Sequence, residues 1–323
     1  MSSINSIFEK LNLCKSTLTG TYFFSDIPNI KHHKLGITSD GCPIYFIKCD
    51  DKESNFYPSY NLGVEVDFGV DCRITDGRNV ISGKFTLVSL KKDSLNLLPY
   101  FLDVVMIILK SIPPNSKLQL VKSEIDNLII LFSNMQSEGT GDIQGLWAEL
   151  LVIERSKNPD YLLSSWHESK TSLFDFNNGS DKLEVKSTQN SDRKHSFSLN
   201  QLVANKSSNL IICSVIVSSV GQGKNVFDML DLIHNRVQDQ KLLIKLNSIF
   251  TETLGNKVAH AQDIYFDYAT AKDSIKFFDV NDIPSLNIKV IPPEITNVHF
   301  DCNLRNVKAS NIKKFKSKLY KSL

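Results

Sequence analysis

Two periods of apolar residues run along this chain, and the changes between them mark its elements. Leu62, Val64, Val66, Phe68 and Val70 alternate with Gly63, Glu65, Asp67, Gly69 and Asp71. That period of two predicts a strand with one wet face. Residues 81–90 continue in β style, with Phe85 and Leu87 apolar. The pattern then lengthens to a helix over 97–109, stopped by Pro113-Pro114, and to a second helix from near Ser123 through Ile129, Leu131 and Phe132. Ser137-Glu138-Gly139-Thr140-Gly141 reads as a hinge, with two glycines among small polar residues between two helical patterns. Beyond it a helix over 142–155 sets Ile143, Leu146, Leu150 and Ile153 on one stripe, with Asp142 or Thr140 as its N-cap. Asn177-Asn178-Gly179-Ser180-Asp181 is the strongest turn signal in the chain and predicts a hairpin between 173–176 and 182–187.

A short segment around Phe197, a helix over about 198–205 and an apolar strand over 210–217 follow. That strand is continuous enough to be buried on both faces. A long helix is expected over 225–249. Short strands are expected at 263–268, 275–280, 287–291 and 298–302. The chain closes on a basic run containing Lys308, Lys313, Lys314, Lys316, Lys318 and Lys321.

Composition narrows the class without naming it. The 323 residues are 41% hydrophobic and 22% charged, which excludes a disordered, collagen-like or disulfide-dense chain. Thirty-seven basic against 35 acidic residues leave a net charge of +2, so a nucleic-acid partner would have to be met by a local patch. The six cysteines form no C-x-x-C pair and have no histidines at zinc-ligand spacing, and His32-His33 has none either. The first residues lack a signal-peptide pattern. The longest apolar stretch, 100–112, is broken by Asp103 and is too short for a bilayer. A soluble, cytoplasmic protein with no membrane partner is the expectation.

The chemistry concentrates in the hairpin. Glu184 and Lys186 stand two apart and so share a face, while Val185 points the other way. The turn brings Asp175 toward Glu184. Two unpaired carboxylates side by side repel, and a bound Mg²⁺ would remove that conflict, with the Val185 carbonyl as a third protein ligand. Lys186 beside such a cation could position a water and balance charge on a phosphate. The bland alternative is a surface strand on which Glu184 pairs with Lys186.

The order of neighbours extends this pattern. Gly145-Leu146-Trp147-Ala148-Glu149-Leu150-Leu151, Trp166, Asp175-Phe176, Glu184-Val185-Lys186-Ser187-Thr188, His195-Ser196-Phe197-Ser198 and Gln201-Leu202 together resemble the PD-(D/E)XK nuclease superfamily. More narrowly they resemble a bacterial PD-(D/E)XK family of unknown function, found beside methyltransferases and ATPases in restriction and phage-defence gene clusters. The match covers roughly residues 139–220, and Phe174 stands where the superfamily name has proline. The resemblance implies that Asp175 and Glu184 bind the metal and that Lys186 positions water. It further implies that Glu149 approaches the metal from the preceding helix and that Gln201 supports Lys186 or the phosphate.

The expected architecture is an α/β, restriction-endonuclease-like mixed sheet flanked by helices. An α+β N-terminal domain (1–136) precedes the core (137–250), and a β-containing extension with a basic tail (251–323) follows it. The expected activity is Mg²⁺-dependent hydrolysis of DNA, with Mn²⁺ as substitute, in restriction or phage defence. Arg193, Lys194 and His195 would form a phosphate-binding rim, with the C-terminal lysines either a DNA contact or a solvated tail. A homodimer and methyltransferase or ATPase partners are possible company. The alternative is a non-cleaving nucleic-acid-binding or scaffold subunit of a defence complex.

Overall fold

The computed structural model describes residues 3–13, 22–49, 59–60, 63–167, 172–202, 209–286, 291–292 and 294–323. The chain divides into two compact units. One comprises Met1–Gly139 with Gly255–Ala259, the other Thr140–Leu254 with His260–Leu323. Among the described residues, no helix is long and apolar enough to cross a membrane. Five cysteines are free thiols, and Cys14 lies outside the described residues.

The first unit contains α1 (Ser3–Asn12), six strands and two further helices. The strands are β1 (Tyr22–Asp26), β2 (Lys34–Ile37), β3 (Pro43–Lys48), β4 (Ser59–Tyr60), β5 (Val64–Thr75) and β6 (Val80–Leu90). Their order is β1-β2-β3-β6-β5-β4, and β1 also pairs with β5, so five strands close on themselves. The alternating segment is β5, and its Val64, Val66 and Phe68 are buried as the period of two requires. Between Asp67 and Val70 the register against β6 shifts by one residue, and Gly69 takes φ +63° there. Glycine enters that conformation at little cost, so the bulge bends the strand where the sequence permits it. The two helices are α2 (Leu98–Leu109) and α3 (Leu118–Asn134), the latter opening five residues before the expected Ser123.

The second unit begins with α4 (Ile143–Arg155), capped as expected by Asp142, whose Oδ2 accepts from Gly145 N–H at 3.1 Å. Then come α5 (Pro159–Ser165), β7 (Phe176–Asn177), β8 (Asp181–Thr188), β9 (Lys194–Ser198), α6 (Leu199–Leu202) and β10 (Asn209–Ile216). Gly179 takes φ +90° in the β7–β8 turn. The remainder of the helix expected through Asn205 lies outside the described residues.

After β11 (Ser219–Val220) the single helix expected over 225–249 is two helices, α7 (Val226–His234) and α8 (Gln240–Leu254). The apolar stripe continues across the break, which is why periodicity alone joins them. Helix α7 closes at Asn235, and Asp239 opens α8 in the manner of an N-cap, its carboxylate accepting from Lys241 N–H at 2.8 Å. Then follow α9 (Val258–Ala261), β12 (Tyr265–Phe266), α10 (Tyr268–Ser274), β13 (Lys276–Asp279), β14 (His299–Asn303) and α11 (Lys318–Lys321). Helix α10 fills the stretch between the strands expected at 263–268 and 275–280, and the strand expected over 287–291 falls largely outside the described residues.

A mixed four-stranded sheet, in the order β13-β10-β8-β7, is the centre of this unit. Strands β8 and β10 run parallel, with Glu184 opposite Ile212 and Lys186 opposite Ser214, and β13 pairs antiparallel with β10. The stretch read as an extension therefore supplies a strand of the central sheet. Its partner lies sixty residues upstream, beyond the reach of any local pattern. β14 likewise pairs with β9. Nor is the basic tail loose: Tyr320 is buried, its hydroxyl 2.8 Å from the carbonyls of both Lys182 and Asn209.

Candidate active site

The two faces of β8 are occupied differently. On one, Leu183 and Val185 are buried, and Ser187 accepts from Gln144 of α4 at 3.0 Å. The other carries Glu184 and Lys186, both of which meet Gln201 of α6. Gln201 is held there by a reciprocal cap. Its N–H donates to Ser198 Oγ at 3.3 Å, and its Oε1 accepts from Ser198 N–H at 3.1 Å. This is the S-x-x-Q capping box, so the local sequence of α6 fixes the glutamine's direction.

Glu184 is 4% exposed. Its Oε1 accepts from Gln201 Nε2 at 2.7 Å and pairs with Lys186 Nζ at 2.9 Å, while its Oε2 is buried with no hydrogen-bond partner. Lys186 Nζ also lies 3.4 Å from Gln201 Oε1 and 5.7 Å from the Phe197 ring centroid.

Asp175 sits one residue before β7, not within the strand. Its Oδ2 accepts from the Val185 N–H at 2.7 Å, and its backbone carbonyl accepts from His167 N–H at 2.8 Å. Burial, with the charges of Glu149 and Glu184 behind it, pushes the Asp175 carboxyl well above the usual carboxylate range; the Val185 N–H and Lys186 offset this only in part. Burial raises Glu184 as well, against the pull of Lys186.

Glu149 projects from α4 toward the same place. Its Oε2 accepts from Trp166 Nε1 at 2.7 Å and lies 2.9 Å from His167 Nε2. One ligand atom each of Glu149, His167 and Asp175 lie within 4.8 Å of one another. His167 escaped sequence reasoning. It has no spacing rule, and its place is set by the bridge between its neighbour Trp166 and Phe176 and by its own positive φ of 39°.

The structure thus brings together Asp175, Glu184, Val185, Lys186, Glu149 and Gln201. It does not bring the expected phosphate rim with them. Arg193 is 5% exposed, and its guanidinium donates to the Ser214 carbonyl (2.8 Å), to Ser214 Oγ (2.9 Å) and to the Ser274 carbonyl. His195 is equally buried, its Nε2 2.7 Å from Ser214 Oγ. Burial, with Lys186 and Arg193 nearby, lowers its pKa to about 4. Arg193 takes a left-handed φ of 54° and is buried, against its expected place in a phosphate-binding rim. Lys194 alone of the three faces solvent, paired with Asp301 at 2.9 Å.

The donor set fits a hard divalent cation. Three carboxylates converge, burial opposes the charge of Asp175 and Glu184, and Glu184 Oε2 is a buried acceptor with no hydrogen-bond partner.

A mixed α/β chain with these residues converging at a hairpin has a counterpart among known families. The chain belongs to the family described as "Putative PD-(D/E)XK family member, (DUF4420)", whose model matches residues 5–305. Membership suggests a nuclease-like function, while the family's own function is unknown. No curated protein and no solved structure matches the chain.

Proposed function

We propose that this protein is a metal-dependent endonuclease that hydrolyses DNA phosphodiester bonds from a restriction-endonuclease-like core, acting as a restriction-type enzyme in bacterial phage defence. The observation that carries the reading is the orphaned Glu184 Oε2 beside Asp175 and Glu149. No apolar packing argument gathers three carboxylates, whereas a phosphodiesterase needs them.

Asp175, Glu184 and the Val185 carbonyl would hold Mg²⁺, or Mn²⁺ in its place, with Glu149 near its waters. When bound, such a cation neutralises phosphate charge and acidifies a water. The chain's own groups do the rest. Glu184 and Gln201 fix the Lys186 ammonium, so its N–H groups can orient a nucleophilic water and offset negative charge at phosphorus. The Val185 N–H locks one oxygen of Asp175, so its carboxylate needs no reorientation. One site cuts one strand, so a double-strand break would take two copies of the chain.

Plasmid nicking with purified protein in Mg²⁺, Mn²⁺ and EDTA, alongside Lys186→Ala and Asp175→Ala, tests the proposal. Metal-dependent nicking lost in both variants is expected. DNA binding without cleavage by the wild type would move the reading to a non-cleaving subunit.

A further inference from the structure

Glu149 and Asp175 offer oxygen to a cation, but the third group beside them offers nitrogen. His167 Nε2 lies 2.9 Å from Glu149 Oε2, and both lie within 4.8 Å of an Asp175 oxygen. Two ligands at right angles on a divalent ion, each about 2.1 Å away, stand about 3 Å apart. The His167–Glu149 separation is already that of neighbouring ligands on one ion.

The surrounding contacts hold this arrangement. Trp166, fully buried, donates its indole N–H to the same Glu149 oxygen and fixes the carboxylate's direction. The His167 N–H donates to the Asp175 carbonyl, tying the histidine to the hairpin that carries the aspartate. An independent observation points to a cation here: Glu184 is more than nine-tenths buried, and its Oε2 has no partner. Glu184 immediately precedes Val185, whose N–H donates to Asp175 Oδ2 at 2.7 Å, so the orphaned oxygen belongs to the residue next to the cluster's own anchor.

An ion pair between His167 and Glu149 would account for two of these groups. It would leave the buried Glu184 Oε2 without a partner. A cation shared by α4 and the hairpin accounts for all of these groups.

We infer that His167 is a nitrogen ligand of that same cation, that Glu149 then serves as a direct ligand rather than a neighbour of its waters, and that of the two ions proposed above the site prefers Mn²⁺, or a related transition metal, to Mg²⁺. The chemical reason is ligand softness. Mg²⁺ takes oxygen and keeps its waters, whereas imidazole binds first-row transition ions better, least of them Mn²⁺, which makes a Mn²⁺ preference over Mg²⁺ the conservative test. The inference rests on the reading of this cluster as a cation site, and not on cleavage of any substrate.

Direct metal binding to the metal-free full chain tests it. Mn²⁺ affinity is read from the free-ion EPR signal, Mg²⁺ from competition, and nitrogen coordination from ¹⁴N coupling in the pulsed EPR spectrum of bound Mn²⁺. The wild type is expected to show nitrogen coupling and a preference for Mn²⁺. His167→Gln, a polar replacement of similar reach, is expected to lose the coupling and at least about tenfold in Mn²⁺ affinity, with Mg²⁺ changed by less than about threefold. His167→Ala should behave alike, and thermal melts check that both variants fold. Bound Mn²⁺ without nitrogen coupling, or a metal preference unaltered in His167→Gln, overturns the inference, as does failure of the wild type to bind Mn²⁺. Nitrogen coupling in a protein that cuts no DNA would sustain it while defeating the nuclease reading.

Discussion

Two buried polar clusters meet on the β8–β10 pair, and they are built on opposite terms. In one, Arg193 and His195 converge on Ser214, and donors are matched to a carbonyl, a hydroxyl and the Ser274 carbonyl. In the other, Asp175, Glu184 and Glu149 gather negative charge, and one carboxylate oxygen is left with nothing to accept from. The paired residues Lys186 and Ser214 stand directly opposite one another, so the clusters are neighbours under the same packing. The matched cluster holds the sheet together. The mismatched one carries an unsatisfied buried acceptor, a cost that folding alone does not explain.

The largest effect should appear when the acidic cluster loses the Lys186 amine. Lys186→Ala is expected to lower the proposed DNA cleavage by about 10²–10⁴-fold, measured as single-turnover nicking below the melting transition, which itself falls because the buried Glu184 loses its ion-pair partner. The matched cluster should respond in the opposite way. Arg193→Met strands two buried carbonyls and is expected to cost on the order of 3 kcal/mol in urea unfolding, with loss of activity only through loss of fold. A variant as stable as the wild type would erase the distinction between the clusters.

pH separates them by sign. His195 falls from 6.5 to about 4 on folding, so below pH 6.5 the unfolded chain binds the proton first. Its contribution is complete above pH 6.5 and fades as pH drops toward 4, on the order of 3 kcal/mol in all. His33 of the first unit, also lowered to about 4 by burial, follows the same slope. Asp175 and Glu184 are raised instead, so the folded metal-free protein binds protons the unfolded chain has released. Their stability term therefore declines as pH rises above the ordinary carboxylate range. Urea titrations from pH 4 to 8, with His195→Gln and Asp175→Asn alongside, should show the two slopes flattening separately.

The smallest effect is the most diagnostic. At pH 7 without metal, Asp175→Asn is expected to raise stability by about 1–2 kcal/mol, because it removes a charge that burial and two carboxylates oppose. Excess Mn²⁺ should stabilise the wild type and leave this variant nearly unchanged, as thermal melts would show. A destabilised Asp175→Asn would mean that the carboxylate supports the fold.

What could be read in advance follows the range of the interactions. The Asn178-Gly179 turn, the shared face of Glu184 and Lys186, the Asp142 cap and the Ser198–Gln201 spacing are all local, and all are legible along the chain. His167, the burial of Arg193, the break between α7 and α8 and the place of β13 depend on single backbone conformations or distant partners. Nothing in a hydrophobic period encodes those. The basic terminus shows the same limit, since one buried tyrosine decides that it docks.

The position of β13 also has a cost in time. β10, the most apolar strand of its sheet, ends at Ile216, and the strand that covers its free edge begins only at Lys276. At about 5–20 residues per second, a ribosome takes roughly 3–12 s to supply that cover. Through that interval Leu210–Ile212 and their neighbours offer unpaired backbone beside bare hydrocarbon, the combination that recruits foreign strands. Slowed translation between the two strands would lengthen the exposure, so yield should depend on codon choice there more than anywhere else in this unit.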